Sequence, residues 1–355
     1  NFVNYAIDNW SAANKPKFCL LLGKSVDYAK ATNSPSEYNG NLLPTYGKQP
    51  SDNVLVARNV WQYTPQLAVG RISAKNPTDV KNFLDKLKFY ESPEMCSEEA
   101  MLWLKKGIHI ALAHFGDDDE ETEYLDYLNK FKLTYEDAKM GGKVIQTYSA
   151  KYGGTSFAGL QNLITNGVGL ISFMGHSQGQ YWDFKVPEFN NPNKYPFIIS
   201  ASCFVGNIHD IYASPSMAED LTLAANSGCI GFLGTVSFGY PKYLDIFVDS
   251  LYNEFCKTNY AQPMGICLKN TIDKIYISDS TASSYDGIKA TCEEFTFEGD
   301  PGFVLAGYAA PDYHVDNVPN SPDLVVKNND NGVVLSPPYI VSKDVTSLEF
   351  IVNYA

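Results

Sequence analysis

The chain has 355 residues, 45% of them apolar and only 19% charged, with a formal net charge of −13. That length exceeds one typical domain, and the apolar share is enough to bury a large core, which excludes disorder. The acidic balance disfavours nucleic acid or an anionic membrane as main partner, and no apolar run approaches the roughly 18–20 residues of a membrane span.

Residues 1–5 read as the middle of a helix and 348–352 as a strand cut short, so the chain is expected to be a piece of a longer protein. Residues 17–23 (KFCLLLG) make a buried strand ending in Gly, 24–66 are polar and loop-like, and 66–72 form another strand. A helix follows over 77–90, opened by Pro77 and Thr78, with Val80, Phe83, Leu84, Leu87 and Tyr90 on one face. A second unit starts near Glu94. It brings strands at 107–113, 144–148, 167–174, 195–202 and 228–234, alternating with helices at 120–132, 155–166, 217–226 and 243–257. Residues 295–306 form a turn between two extended pieces. Short apolar runs alternating with amphipathic stretches are the pattern of α/β architecture with a mainly parallel sheet. The expected organisation is an N-terminal α/β subdomain over 1–93 and a second, chemistry-bearing one over 94–310. From residue 311 the Pro, Asn and Asp content points to a linker and the start of a β-domain, over 311–355.

The seven cysteines, at 19, 96, 203, 229, 256, 267 and 292, include no C-x-x-C pair, and an odd count leaves at least one thiol unpaired within the chain. Neither a disulfide framework nor a zinc site is indicated. Two strands end in reactive side chains. One runs into Gly175-His176-Ser177-Gln178-Gly179, the other into Ser202-Cys203-Phe204-Val205-Gly206-Asn207. Functional groups of a parallel sheet gather at the carboxyl ends of neighbouring strands, which puts His176 and Cys203 at one crevice. A thiol of pKa about 8.5 is a poor nucleophile at neutral pH unless assisted, and an imidazole alongside can take its proton.

Plainer readings stand beside these. A lone cysteine is more often a buried structural one. His109 lies inside an apolar run and reads as a core histidine, His209 shares the loop of Cys203, and His314 falls in the linker. Residues 175–179 also fit the G-x-S-x-G elbow with Ser177 as nucleophile. That elbow must run straight into a helix, which Pro187 and the Asn/Pro-rich stretch 190–194 do not make.

The order strand, Gly-His, roughly thirty residues, strand, Cys is that of caspase-like peptidases, and the chain resembles their gingipain branch. The likeness is carried by GLISFMGHSQGQYWDF, YPFIISASCFVGN and PSMAEDLTLAANSGCIGFLGT around the two tips. Upstream it includes CLLLGKSVDYAK and AVGRISAKNPTDVKNFLDKLKFYE, downstream EEFTFEGDPGFVL, in order over residues 17–306. The resemblance implies a caspase-like fold of two adjacent α/β subdomains, then the start of a β-sandwich-like domain. It implies a secreted cysteine endopeptidase acting on a protein or peptide substrate, outside the cell or at the bacterial surface.

By the same resemblance Cys203 is the nucleophile and His176 its partner, with an oxyanion hole from the backbone N–H groups of Ser177 and Cys203. Each such donor contributes about 3–4 kcal/mol in studied hydrolases. The family usually has Gly at the position of Ser177 and an acid at that of His114, orienting the catalytic His. Asp117, Asp118 or Asp119 would take that part after a small shift. Acids of the run 117–123 would also line a pocket for Arg or Lys, against the plainer reading of a solvated helix N-terminus. Trp182 is placed at the substrate. No cofactor is required; the family often carries structural calcium, which the loop 117–121 suits in composition. Two other functions remain open: a sortase-like transpeptidase of a type IX secretion system, and a catalytically degenerate binding module. Ser177 and the missing acid at 114 motivate the second. The sequence sets no oligomeric state.

Overall fold

The computed structural model describes residues 2–305 apart from 28–31, 34–39, 48, 60–61, 93–94, 96–102, 138, 152–156, 158, 180, 185, 187, 211–214 and 279–286. The expected linker and β-domain over 311–355, and His314 with them, lie outside the described residues.

In chain order the strands are β1 (Phe18–Leu22), β2 (Ala57–Asn59), β3 (Gln62–Pro65), β4 (Ala68–Ile72), β5 (Lys106–Ala113) and β6 (Lys143–Lys151). They continue with β7 (Leu170–Gly175), β8 (Phe197–Ala201), β9 (Gly231–Thr235) and β10 (Phe295–Gly299). Among the described residues β2 and β3 make a small hairpin, and the other eight form one sheet in the order β1-β4-β10-β9-β8-β7-β5-β6. From β9 to β6 neighbouring strands are parallel, as are β1 and β4. β10 runs parallel to β4 and antiparallel to β9, so the direction reverses once. Strands from both sides of the expected boundary at 93/94 therefore share one sheet, joined by β10, the last strand among the described residues.

The helices are α1 (Phe2–Asn9), α2 (Asp52–Leu55), α3 (Pro77–Tyr90), α4 (Asp118–Tyr135), α5 (Leu160–Asn166), α6 (Met217–Leu223), α7 (Pro241–Asn253), α8 (Met264–Ser278) and α9 (Gly287–Glu294). They cover both faces of the sheet, which is why its central strands read as continuous apolar runs rather than alternating ones. In β5, Ala111 and Ala113 pack to one side with Tyr124, Leu128 and Phe131 of α4 and Phe247 and Leu251 of α7. Ile108, Ile110 and Leu112 pack to the other, with Leu160 and Ile164 of α5 and Met217 of α6.

Local chemistry sets the ends. Asn76 caps α3, its side chain accepting from the N–H groups of Thr78 and Asp79, and Pro77 fills the first turn. Leu84, counted on the apolar face of that helix, is exposed, whereas Lys86 is buried. The Lys86 ammonium donates to the carbonyls of Leu221, Ser227 and Cys229, closing the end of α6. The stretch 24–66, read as loop, contains α2 and the β2–β3 hairpin, and α8 and α9 form where the sequence sets no expectation.

Candidate active site

β7 and β8 lie in parallel register with Met174 opposite Ala201, so the residues two places further on, His176 and Cys203, leave adjacent strand ends. Glycine is required before the histidine: Gly175 has φ +157°, and a Cβ there would stand 2.5 Å from the Leu112 carbonyl oxygen of β5. After His176 the chain doubles back. Gln178 N–H donates to Tyr181 O at 3.1 Å and Asp183 N–H to His176 O at 3.0 Å, with Ser177 opposite Trp182. Among the described residues no helix follows, so Ser177 does not sit on a nucleophile elbow. The two hydrogen bonds of this turn use the N–H groups of Gln178 and Asp183, not that of Ser177. The Ser177 hydroxyl instead donates to the Cys203 carbonyl oxygen at 2.5 Å and ties one tip to the other.

Cys203 is followed by Phe204 at φ +60°, a left-handed conformation costly for a non-glycine residue and concentrated at functional sites. It is held there by Phe204 N–H donating to Ser237 O at 3.0 Å. The Cys203 sulfur is half-buried against the loop after β9, where Gly239 N–H donates to Sγ at 3.4 Å. Cys229, Cys256, Cys267 and Cys292 are buried, and every described cysteine is a free thiol. Burial raises the Cys203 pKa, the Gly239 N–H works the other way, and the charges of Glu294 and Asp183 add to the rise. The resting thiol is therefore protonated at neutral pH and needs a base.

His176 Nε2 meets Glu120 Oε1 at 3.0 Å. Glu120 belongs to the first turn of α4, which Asp117 caps by accepting from Glu120 N–H at 2.9 Å. Its other oxygen, Oε2, meets His114 Nδ1 at 2.9 Å and accepts from His114 N–H at 2.6 Å, while the Tyr124 hydroxyl donates to Oε1 at 2.8 Å. Burial pushes the Glu120 carboxyl up, but the donors outweigh it, His114 N–H first, then Tyr124 and His176, and hold it below the usual range. The two imidazoles lie against each other, ring centroids 3.7 Å apart.

The acid sought at 114, or at Asp117, Asp118 or Asp119, thus has its counterpart one residue beyond that run, at Glu120. A signal was present: Asp117-x-x-Glu120 has capping-box spacing, which places the glutamate at the third helical position beside the preceding strand end. Asp117, Asp118 and Asp119 themselves are exposed at the start of α4. The placement of Trp182 at the substrate is corrected. It is 1% exposed, stacks on Phe173 with centroids 4.4 Å apart, and donates from Nε1 to Ser200 Oγ at 2.8 Å. An indole buried in the core has no face left for a peptide.

His109 is buried against the Tyr252 hydroxyl, as expected, and His209 is buried against Ser25; burial pushes both pKa values down to about 3. Asp183, not singled out in the sequence, lies close enough for its charge to act on both His176 and Cys203. Its Oδ1 is buried without a hydrogen-bond partner among the described residues, and burial raises its pKa.

Structural calcium at the loop 117–121 would need its acids to converge. Its carboxylates serve separate partners: Asp117 caps α4, Glu120 takes the two histidines, and Glu121 accepts from Ser149. Among the described residues the acids of this loop do not converge as a donor set. No helix among them is long and apolar enough to cross a membrane.

The sequence profile of Peptidase family C25 matches residues 1–306. Lys-gingipain HG66 of Porphyromonas gingivalis is 25% identical over 184 residues, covering 50% of this chain and 10% of that protein. The chain thus matches about a tenth of the length of this curated relative. The crystal structure of the Arg-specific cysteine proteinase gingipain R (RgpB) is similar at a TM-score of 0.64 and 16% identity, over 86% of this chain and 67% of the other. The complex of Porphyromonas gingivalis RgpB pro- and mature domains is similar at 0.62 and 17%, over 86% and 68%. At such identities these structures establish the fold, an α/β arrangement consistent with the caspase-like one expected.

Proposed function

Because the chain belongs to Peptidase family C25 and is a gingipain-like cysteine peptidase, we propose that it cleaves proteins with Cys203 as nucleophile and His176 as its base, oriented by Glu120. The observation that carries this reading is the register of β7 and β8, which delivers the two side chains to adjacent strand ends. His176 Nε2 is engaged by Glu120, which leaves Nδ1 to take the thiol proton. The thiolate attacks the peptide carbonyl, and the oxyanion is received by the N–H groups of Cys203 and Ser177. The C–N bond breaks as the leaving amine takes the proton from Nδ1. Water then gives a proton back to His176, attacks the thioester and releases the new carboxyl terminus and the free thiol. With Glu120 in the place of the missing acid, one of the two reasons for reading the site as degenerate falls away, and Ser177 remains the other.

The finer expectation, cleavage after Arg or Lys, is best supported by Asp183, the half-buried acid whose charge reaches Cys203, rather than by Asp117, Asp118 or Asp119. Action outside the cell or at the bacterial surface follows from the resemblance and is checked by fractionating cultures of the source organism.

A positional-scanning peptide library with mass spectrometry of the products tests the reading. Cys203→Ala is expected to abolish cleavage, and Asp183→Asn to lose any preference for Arg or Lys. Equal turnover by Cys203→Ala would remove the mechanism. Products carrying an added amine in place of a free carboxyl terminus would assign transpeptidation.

A further inference from the structure

His114, Glu120 and His176 offer Nδ1, a carboxylate and Nε2 within 4.8 Å of one another, the one such group of three or more His, Cys, Asp or Glu side chains among the described residues. We propose that these three residues form a binding site for a divalent transition cation of the zinc class, and that occupancy switches the peptidase off. The inhibitory consequence rests on the roles given above to His176 and Cys203; the metal site does not.

Two imidazoles and one carboxylate are the donor set that zinc takes with a position left open, whereas calcium and magnesium prefer oxygen alone. The geometry needs little change. Zinc ligands at about 2.0–2.1 Å from the ion stand about 3.4 Å apart in a tetrahedron. Here the nitrogens already meet the carboxylate at 2.9 and 3.0 Å, one on each oxygen. Placing one ion between the carboxylate and the two nitrogens, with each ring keeping its proton on its other nitrogen, opens these separations by roughly half an ångström. The carboxylate is held in place by the Tyr124 hydroxyl and the His114 N–H, the kind of outer support that orients a metal ligand. An ion has a way in, since the His114 side chain is 59% exposed against 24% for His176 and 18% for Glu120.

The chemical consequence follows from proton count. A metal on His176 Nε2 takes the lone pair there, and the ring's remaining proton sits on Nδ1. An imidazole in that state has no lone pair for the Cys203 proton, so the thiol stays protonated and inert. Removal of the ion returns a proton to Nε2 and frees Nδ1. His114 is what makes the site: with the acid that the family usually carries at its position, the set would have a single nitrogen.

The test uses the full chain with Cys203→Ala, which removes the thiol as a competing ligand. Zinc binding is followed by titration calorimetry, and cobalt(II) replaces it for visible absorption. One ion per chain is expected, with loss of a ligand in His114→Ala weakening binding by about 100-fold, at the upper end of what even outer-sphere partners contribute. The cobalt bands should vanish with it. In the chain that retains Cys203, zinc should inhibit hydrolysis, and His114→Ala should raise the inhibitory concentration by the same factor. Absence of zinc binding to the Cys203→Ala chain, or binding indifferent to His114→Ala, overturns the site. Inhibition unaffected by His114→Ala would mean that zinc acts at the sulfur, and overturns the switch. A chain that binds zinc through His114 yet never hydrolyses a peptide would refute the peptidase reading while the metal site stands.

Discussion

Where β1 and β4 end, Lys24 meets Glu219 at 2.6 Å, and Arg71 forks onto both oxygens of Asp52 at 2.7 Å while also donating to Gly23 O and Leu43 O. Where β5 and β7 end, Glu120 is shared between two imidazoles at similar distances. The residue types and hydrogen-bond lengths resemble each other; the access to water does not. Arg71 is fully buried and its partners nearly so, whereas every member of the second group has an exposed side. A buried pair with matched donors fixes backbone segments to one another, because separating its charges in a low-dielectric interior is costly. A half-open group can be reached from outside, so it can pass a proton to a substrate or accept an ion. Closure, more than composition, separates the structural cluster from the chemical one.

That distinction breaks first at Arg71. Arg71→Ala strands the Asp52 carboxylate in the interior and is expected to cost about 3–5 kcal/mol of stability. Denaturant unfolding of the Cys203→Ala chain measures it free of self-cleavage. A loss under about 1 kcal/mol, the scale of exposed pairs, would erase the contrast between the clusters. Glu120→Gln should behave in the opposite way. It keeps the side-chain shape at a partly open position, so unfolding should shift little, while kcat falls about 100-fold, the lower range for acid–base groups, and KM stays near its starting value. The acid limb of the pH–rate profile should move too, since the anion beside His176 is gone. A purely structural Glu120 would leave that limb where it was.

How much of this was legible depends on the range of the interactions. The strands β5, β7 and β8 announce themselves because both faces are apolar, and the ends of α3 are written in Asn76 and Pro77. His176 and Cys203 could be read because each directly follows such a strand. Glu120 is harder to pick out, since five acids in a row are chemically alike and only the capping-box spacing from Asp117, which sets the first turn of α4, selects the fourth. Trp182 misled because an indole near a catalytic histidine reads equally as substrate wall or core. Its partners Phe173 and Ser200 belong to strands on either side of it in sequence. The helix α2 and the hairpin after it stayed hidden for a related reason. They lie in a polar stretch anchored by contacts from afar: Asp52 to Arg71, and Asn53 to the carbonyls of Cys292 and Phe295.

The smallest effect belongs to Ser177, and it asks whether a departure from the family pattern is a loss or a replacement. Its hydroxyl holds the carbonyl of Cys203, the peptide unit that leads into the left-handed Phe204, so it steadies the turn that aims the sulfur. Removing one such hydrogen bond costs about 0.5–1.5 kcal/mol, which corresponds to a fall in kcat of roughly two- to tenfold for Ser177→Ala at unchanged KM. Ser177→Gly, which restores the residue the resemblance leads one to expect, should be worse than Ser177→Ala, because it removes the same hydroxyl and adds backbone freedom. Steady-state kinetics of the two variants decide. If glycine matches or exceeds serine, the hydroxyl does not position the sulfur; if alanine abolishes all activity, Ser177 itself is the nucleophile. A modest, graded loss fits a chain that replaced backbone flexibility at the histidine tip with a bond between the two tips.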